Sequence, residues 1–141
     1  MSYATVADLE SRIGREELII LAPDESDPNN YSQAVIVKAL EDASAEIDTY
    51  ISAVHPLPLQ EPPLALIRRC CDIARYTLMD DQPTDAAEKR YDQAVSYLKD
   101  IAKGLVNLQI NDSTPAPTKS LVSVKRRQSD RTFTRDSLSG F

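Results

Sequence analysis

Few residues in this sequence have a type and spacing that could support a reaction. The only histidine is His55, the two cysteines are the neighbours Cys70 and Cys71, and the glycines stand apart at Gly14, Gly104 and Gly140. A metal centre needs several His, Cys, Asp or Glu side chains that converge, and two adjacent thiols with one distant imidazole do not supply them. His55 would serve as a general base only beside a nucleophile, and no Ser or Cys can be tied to it. The carboxylate doublets Glu16-Glu17 and Asp80-Asp81 fall near expected helix ends, where exposed acidic side chains are ordinary. Three scattered glycines do not build a phosphate-cradling loop. The sequence thus predicts no enzyme, no cofactor and no metal. A hydrolytic accessory built on His55 is a rival that His55→Ala would test.

Two charged groups are more informative. Arg68, Asp72 and Arg75 are spaced i, i+4 and i+7 on a segment that is otherwise apolar. One reading is a solvent-facing pair worth about 0.3–0.5 kcal/mol. The other is a stripe that meets a neighbouring subunit. The C-terminal residues Lys125, Arg126, Arg127, Arg131, Phe133, Arg135, Asp136, Leu138 and Phe141 combine cations with apolar anchors, and both phenylalanines of the chain are among them. Anchors of this kind insert into a pocket on a partner; folding back onto the chain's own body is the competing reading. Read as a nucleic-acid patch, the same residues would make the protein a small DNA-associated regulator or packaging accessory. An acidic body works against that by repelling phosphate.

The elements that must carry these residues are helical. Pro62 to Asp80 is the central one. Its two leading prolines suit a first helical turn, where the missing N–H groups would be orphans. Leu64, Leu66, Ile67, Cys70, Cys71, Ile73, Ala74, Thr77 and Leu78 then cover most of its circumference, so other helices must cover it on several sides. Thr5 and Asp8 form a plausible capping pair for a helix that ends at Gly14, with a left-handed cap expected there. A short helix follows to Ala22, then a polar, turn-rich loop from Asp24 to Asn30. Ser32 to about Ala53 carries Val35, Ile36, Ala39, Leu40, Ala43, Ile47, Tyr50 and Ile51 near a 3.6 period. The His55-Pro-Leu-Pro-Leu59 connector cannot be helical, and Leu57 and Leu59 are placed to plug the bundle end. Thr84 or Asp85 caps a last helix that closes at Gly104.

The predicted fold class is all-α, a four- to five-helix bundle with an extended, β-like C-terminal arm; the predicted domains are residues 1–104 (body) and 105–141 (arm). Val106 to Ile110 and Leu121 to Val124 alternate briefly, and Asn111 to Ser120 reads as a linker. Charge divides the same way. The body holds ten Lys/Arg against nineteen Asp/Glu, and the arm six against three, so an acidic body ends in a basic tail suited to an acidic partner. Adjacent cysteines on a helix suggest reduced thiols and a cytosolic setting, with Cys70 packed as a small hydrophobe. No apolar run approaches the roughly 20 residues a bilayer requires, and no signal peptide is read at the start.

The segments YATVADLESRIGREELIIL (Tyr3 to Leu21), ALEDASAEIDTYISAVHPLPL (Ala39 to Leu59), PPLALIRRCCDIARYTL (Pro62 to Leu78) and RTFTRDSLSGF (Arg131 to Phe141) resemble the Mu-type phage and prophage neck proteins. Asp72 to Tyr76 and Phe133 to Leu138 are the more specific parts. The resemblance implies a helical head–tail connector that forms a ring, commonly of twelve copies, beneath the portal and closes the filled head for tail attachment. Portal protein, tail-completion or neck proteins and neighbouring copies are the implied partners. Double-stranded DNA would pass through without specific binding, and no membrane is involved. The implied location is the host cytoplasm during assembly and then the neck of the virion. The family's tail motif maps onto Arg131, Phe133, Arg135, Asp136 and Leu138 as an assembly contact, and it implies no catalytic residue.

Overall fold

Thr5 starts the first helix as its neighbour three residues on requires. In the computed structural model, which describes residues 2–110, Thr5 Oγ1 accepts the Asp8 N–H at 3.2 Å and the Asp8 carboxylate accepts the Thr5 N–H at 2.8 Å. This reciprocal capping box opens α1 (Val6–Ile13) and satisfies two otherwise orphaned donors. The hydrogen bonds from Thr5 hold the Asp8 carboxyl below its ordinary range. α1 ends at Gly14, whose φ of 86° has the expected sign. Its ψ of 153°, however, is extended rather than left-handed helical. Gly14 therefore makes a sharp corner, in a region of backbone space open essentially to glycine, and leads directly into α2 (Arg15–Leu21).

The loop after α2 closes on itself. Pro23 bridges to Tyr31, and the Asp24 N–H donates to the Asn30 carbonyl at 3.2 Å. Within it the carboxylates of Asp24 and Asp27 accept the N–H groups of Ser26 and Asn29, the local bonding that favours aspartate in turns.

Three longer helices, α3 (Gln33–Ile51), α4 (Leu64–Leu78) and α5 (Asp85–Ala102), make the bundle. α4 packs against α3, α5 and α1, and its residues Cys70 to Ala74 are all buried. The expected central helix is thus central. The Arg69 guanidinium lies over the Tyr97 ring at 5.0 Å and the Tyr76 ring stacks on Tyr91 at 4.3 Å. The two pairings step in opposite directions along the chain, so α4 and α5 are antiparallel. Thr84 is the residue that caps α5, through the Ala87 N–H. α3 buries Ile36, Ala39, Leu40, Ala43, Ile47 and Ile51, following its sequence period; Val35, expected with them, is turned outward.

Two further expectations need correction. Leu59 plugs the bundle as anticipated, but Leu57 stays 38 % exposed. Leu64, the first residue of α4, is 82 % exposed, because the buried face of this helix begins two residues later at Leu66. Leu105 to Ile110 continues past α5 without regular structure, the N–H groups of Leu105 and Val106 both donating to the Asp100 carbonyl; Leu108 is buried and Val106 and Ile110 pack against the core, while Asn107 and Gln109 face outward. The alternation in the sequence is therefore an inside–outside alternation. The described residues contain helices and one isolated bridge but no strand. The chain is all-α there; the second β-like run, Leu121 to Val124, lies outside the described residues.

Candidate functional site

The charged residues on α4 divide among different tasks. Arg68 is exposed. Asp72, expected beside it on a wet stripe, is only 6 % exposed and sits 3.8 Å from Nη1 of Arg69 instead. The i, i+3 spacing brings Arg69 to it, and Arg69 is held by the Tyr97 ring beneath its guanidinium. Arg75 turns toward α2, where its Nε and Nη2 both lie 2.6 Å from Glu17 Oε1. The predicted Arg68–Asp72 pair is thus replaced by Arg69–Asp72, and Arg75 links two helices within the chain. Burial decides it: the Cys70 to Ala74 turn faces three helices, so its one carboxylate needs a close cation.

The N-terminal residues build a second polar cluster, beside the connector. Tyr3 donates its N–H to Ser44 Oγ at 3.0 Å and its phenol to the Asp48 carboxylate. The Ser44 hydroxyl donates to the Leu40 carbonyl at 2.7 Å and lies 3.4 Å from Cys70 Sγ. One buried serine therefore joins the N-terminal segment to α3 and α4. Burial, reinforced by the Asp48 hydrogen bond, pushes the Tyr3 phenol well above its ordinary value. Tyr3 and Asp48 also line a groove of about 300 Å³, together with Leu57, Pro58, Leu59 and Pro62.

That groove opens at the end of the bundle where exposed aliphatic side chains gather. Extending the antiparallel register of α4 and α5 sets Leu64 opposite the last turn of α5, close to where Leu105 (73 % exposed) follows. The connector that carries Val54 and Leu57, both more than a third exposed, joins the end of α3 to the start of α4. Val54, Leu57, Leu64 and Leu105 therefore share one end. Elsewhere Ile20, 78 % exposed, flanks a separate groove floored by the Glu17–Arg75 pair.

The potentially reactive side chains lie in α4 and just past α3. Cys70 and Cys71 are buried free thiols, and burial, with the neighbouring Cys70, pushes Cys71 up to about 12. His55 sits just past α3, its backbone N–H on the Ile51 carbonyl at 2.9 Å. Among the described residues no three His, Cys, Asp or Glu side chains are placed to hold a metal ion. The predicted contact residues Lys125, Arg126, Arg127, Arg131, Phe133, Arg135, Asp136, Leu138 and Phe141 lie outside the described residues.

A family model described as Bacteriophage Mu, Gp36 matches residues 3–126, taking in every helix described above. The chain belongs to the phage Mu Gp36 family. Two relatives agree. The chain is 37 % identical over 116 residues to "Gene product J" of Escherichia phage Mu, covering 82 % of each protein. It is 38 % identical over 108 residues to "Mu-like prophage FluMu protein gp36" of Haemophilus influenzae, covering 75 % of this chain and 77 % of that one. The match to the Gp36 family begins at Tyr3, the residue that pins the N terminus to α3. Sequence reasoning passed over Tyr3, Ser44 and Arg69, and read Glu17 only as one of an exposed carboxylate doublet. Only Ser44 left a signal, as a polar residue within the apolar period of α3 between Leu40 and Ile47.

Proposed function

We propose that the protein is a non-enzymatic head–tail connector: copies assemble into a ring beneath the portal, and the C-terminal arm makes the contact that holds portal or neighbour. The observation that carries this is a Gp36-family body with a net negative charge that continues into a cationic segment holding both phenylalanines. Ring closure requires a heterologous contact, in which one surface of a copy meets a different surface of the next. A body and an arm of opposite charge supply two such surfaces. An acidic body also suits a ring around duplex DNA, since a basic lumen would bind the phosphates and slow passage.

Assembly in this reading is mass action driven by binding of the arm to its partner. The test is truncation after Ile110, which keeps every described residue. The truncated chain should remain helical and lose ring formation and portal binding, read by native mass with and without a portal protein. Unchanged assembly would overturn the reading. Retention on plain duplex DNA at physiological salt, lost with the same truncation, would instead support a DNA-associated protein.

A further inference from the structure

We propose that the aliphatic end of the bundle, with the groove between Tyr3 and the connector, is the seat for the C-terminal segment of a second copy of this chain. The proposal rests on the connector reading and names the surface it leaves open. Four large aliphatic side chains, Val54, Leu57, Leu64 and Leu105, are exposed at one end of a small bundle. Leaving them in water forgoes burial that any apolar partner would supply. The adjoining groove has the mixed character of an anchor pocket. Leucines and prolines line it together with Asp48, whose carboxylate accepts the Tyr3 phenol and keeps its negative charge.

The chain's own sequence contains the matching ligand. Beyond Ile110 it places Lys125, Arg126, Arg127, Arg131 and Arg135 around Phe133, with Leu138 and Phe141 following. Cations beside an aromatic and a leucine complement a carboxylate beside an aliphatic surface. The groove's volume of about 300 Å³ accommodates one aromatic side chain. Reach is ample for a neighbour. Phe133 stands 23 residues past Ile110, a span of up to roughly 75 Å when extended. A helix the length of α3 covers only about 28 Å. An end surface that receives the next copy's arm is also a contact between unlike surfaces, as a closed ring requires.

The test uses the full chain with p-benzoylphenylalanine in place of Phe133, irradiated as an equimolar mixture of heavy-isotope-labelled and unlabelled subunits. Cross-links that join the two isotopes and map to residues 54–64, Leu105 or Tyr3 are the expected result. Cross-links confined to one isotope, cross-links to another face, or none would each overturn the proposal. Leu64→Lys, at a position too exposed to affect folding, should lower the cross-link yield about tenfold or more, as expected when a buried leucine is lost and a like charge gained. Leu64→Gln should give a smaller loss at an unchanged melting temperature. If truncation after Ile110 abolishes assembly while Leu64→Lys leaves cross-linking and assembly intact, this seat is wrong and the connector reading survives. If the truncation leaves assembly unchanged, the connector reading itself fails.

Discussion

The Ser44 hydroxyl shows how much one atom can organise. It accepts from Tyr3, donates to Leu40 and touches Cys70, so three chain segments meet on it. Ser44→Ala would strand the Tyr3 N–H, and a buried donor left unmet costs about 1–3 kcal/mol. We expect that loss in urea unfolding, with the N-terminal amides gaining hydrogen exchange first. The tyrosines make a second prediction at this scale. Burial comes first, then hydrogen bonds to Asp48 and Glu46, in raising Tyr3 and Tyr91 above the ordinary 10.0, with Tyr91 reaching about 12. A folded value above the unfolded one means a stabilising contribution that is complete below about pH 10 and lost as pH rises through the raised value. Urea midpoints should therefore fall from neutral pH to above 10, and tyrosinate absorbance should rise late in the native protein. At the residue scale the sequence was legible where partners are local, as at Thr5 and Asp8. It was not where the partner is distant, as for Arg75 and Glu17, or where neighbouring candidates compete, as for Arg68 and Arg69.

Helices were the most legible elements, because their apolar periods and breakers act over many residues at once. All five expected helices are present, bounded by Thr5, Gly14, Pro23, Ser32, the proline connector, Pro83 and Gly104. Geometry at the boundaries was less readable, since composition names a glycine without fixing its ψ. Gly14 tests this. A Cβ there would meet nothing within 4 Å, so any cost of Gly14→Ala is the backbone's own, about 1–3 kcal/mol for a strained φ/ψ. Thermal melts of the variant should show that loss without a change in helix content. The segment after α5 gives a sharper test. Although the composition changes at Gly104, Leu108 is 4 % exposed within the core. Truncation after Gly104 should destabilise the bundle by about 2–5 kcal/mol, the cost of removing a buried leucine. Truncation after Ile110 should leave the melting temperature unchanged.

Across the whole molecule, electrostatics and apolar contact make separable predictions about assembly. Body and tail carry opposite net charge, so part of any attraction between copies should be screened by salt. Raising ionic strength from about 0.1 M to about 1 M shortens the Debye length from about 10 Å to about 3 Å. Sedimentation should show weaker self-association over that range if charge steers the arm, and stronger if aliphatic burial alone holds it. Membership of the Gp36 family was legible from runs that include Asp72 to Tyr76, and the structure gives a physical reason for their weight. Those residues lie in the turns of α4 buried against the rest of the bundle, where Asp72 needs Arg69 and Tyr76 stacks on Tyr91.

The Tyr76–Tyr91 stack, with rings 14° from coplanar, carries a practical consequence. The chain has no tryptophan, and all six of its tyrosines precede residue 98. Every tyrosine therefore belongs to residues 3–97, and the arm is nearly transparent beside them. Near-ultraviolet circular dichroism of the paired rings should report intact packing without any label. Emission from Tyr3, at the mouth of the groove, should change as a neighbour's arm arrives. The proposed self-association would thus come with its own optical gauge.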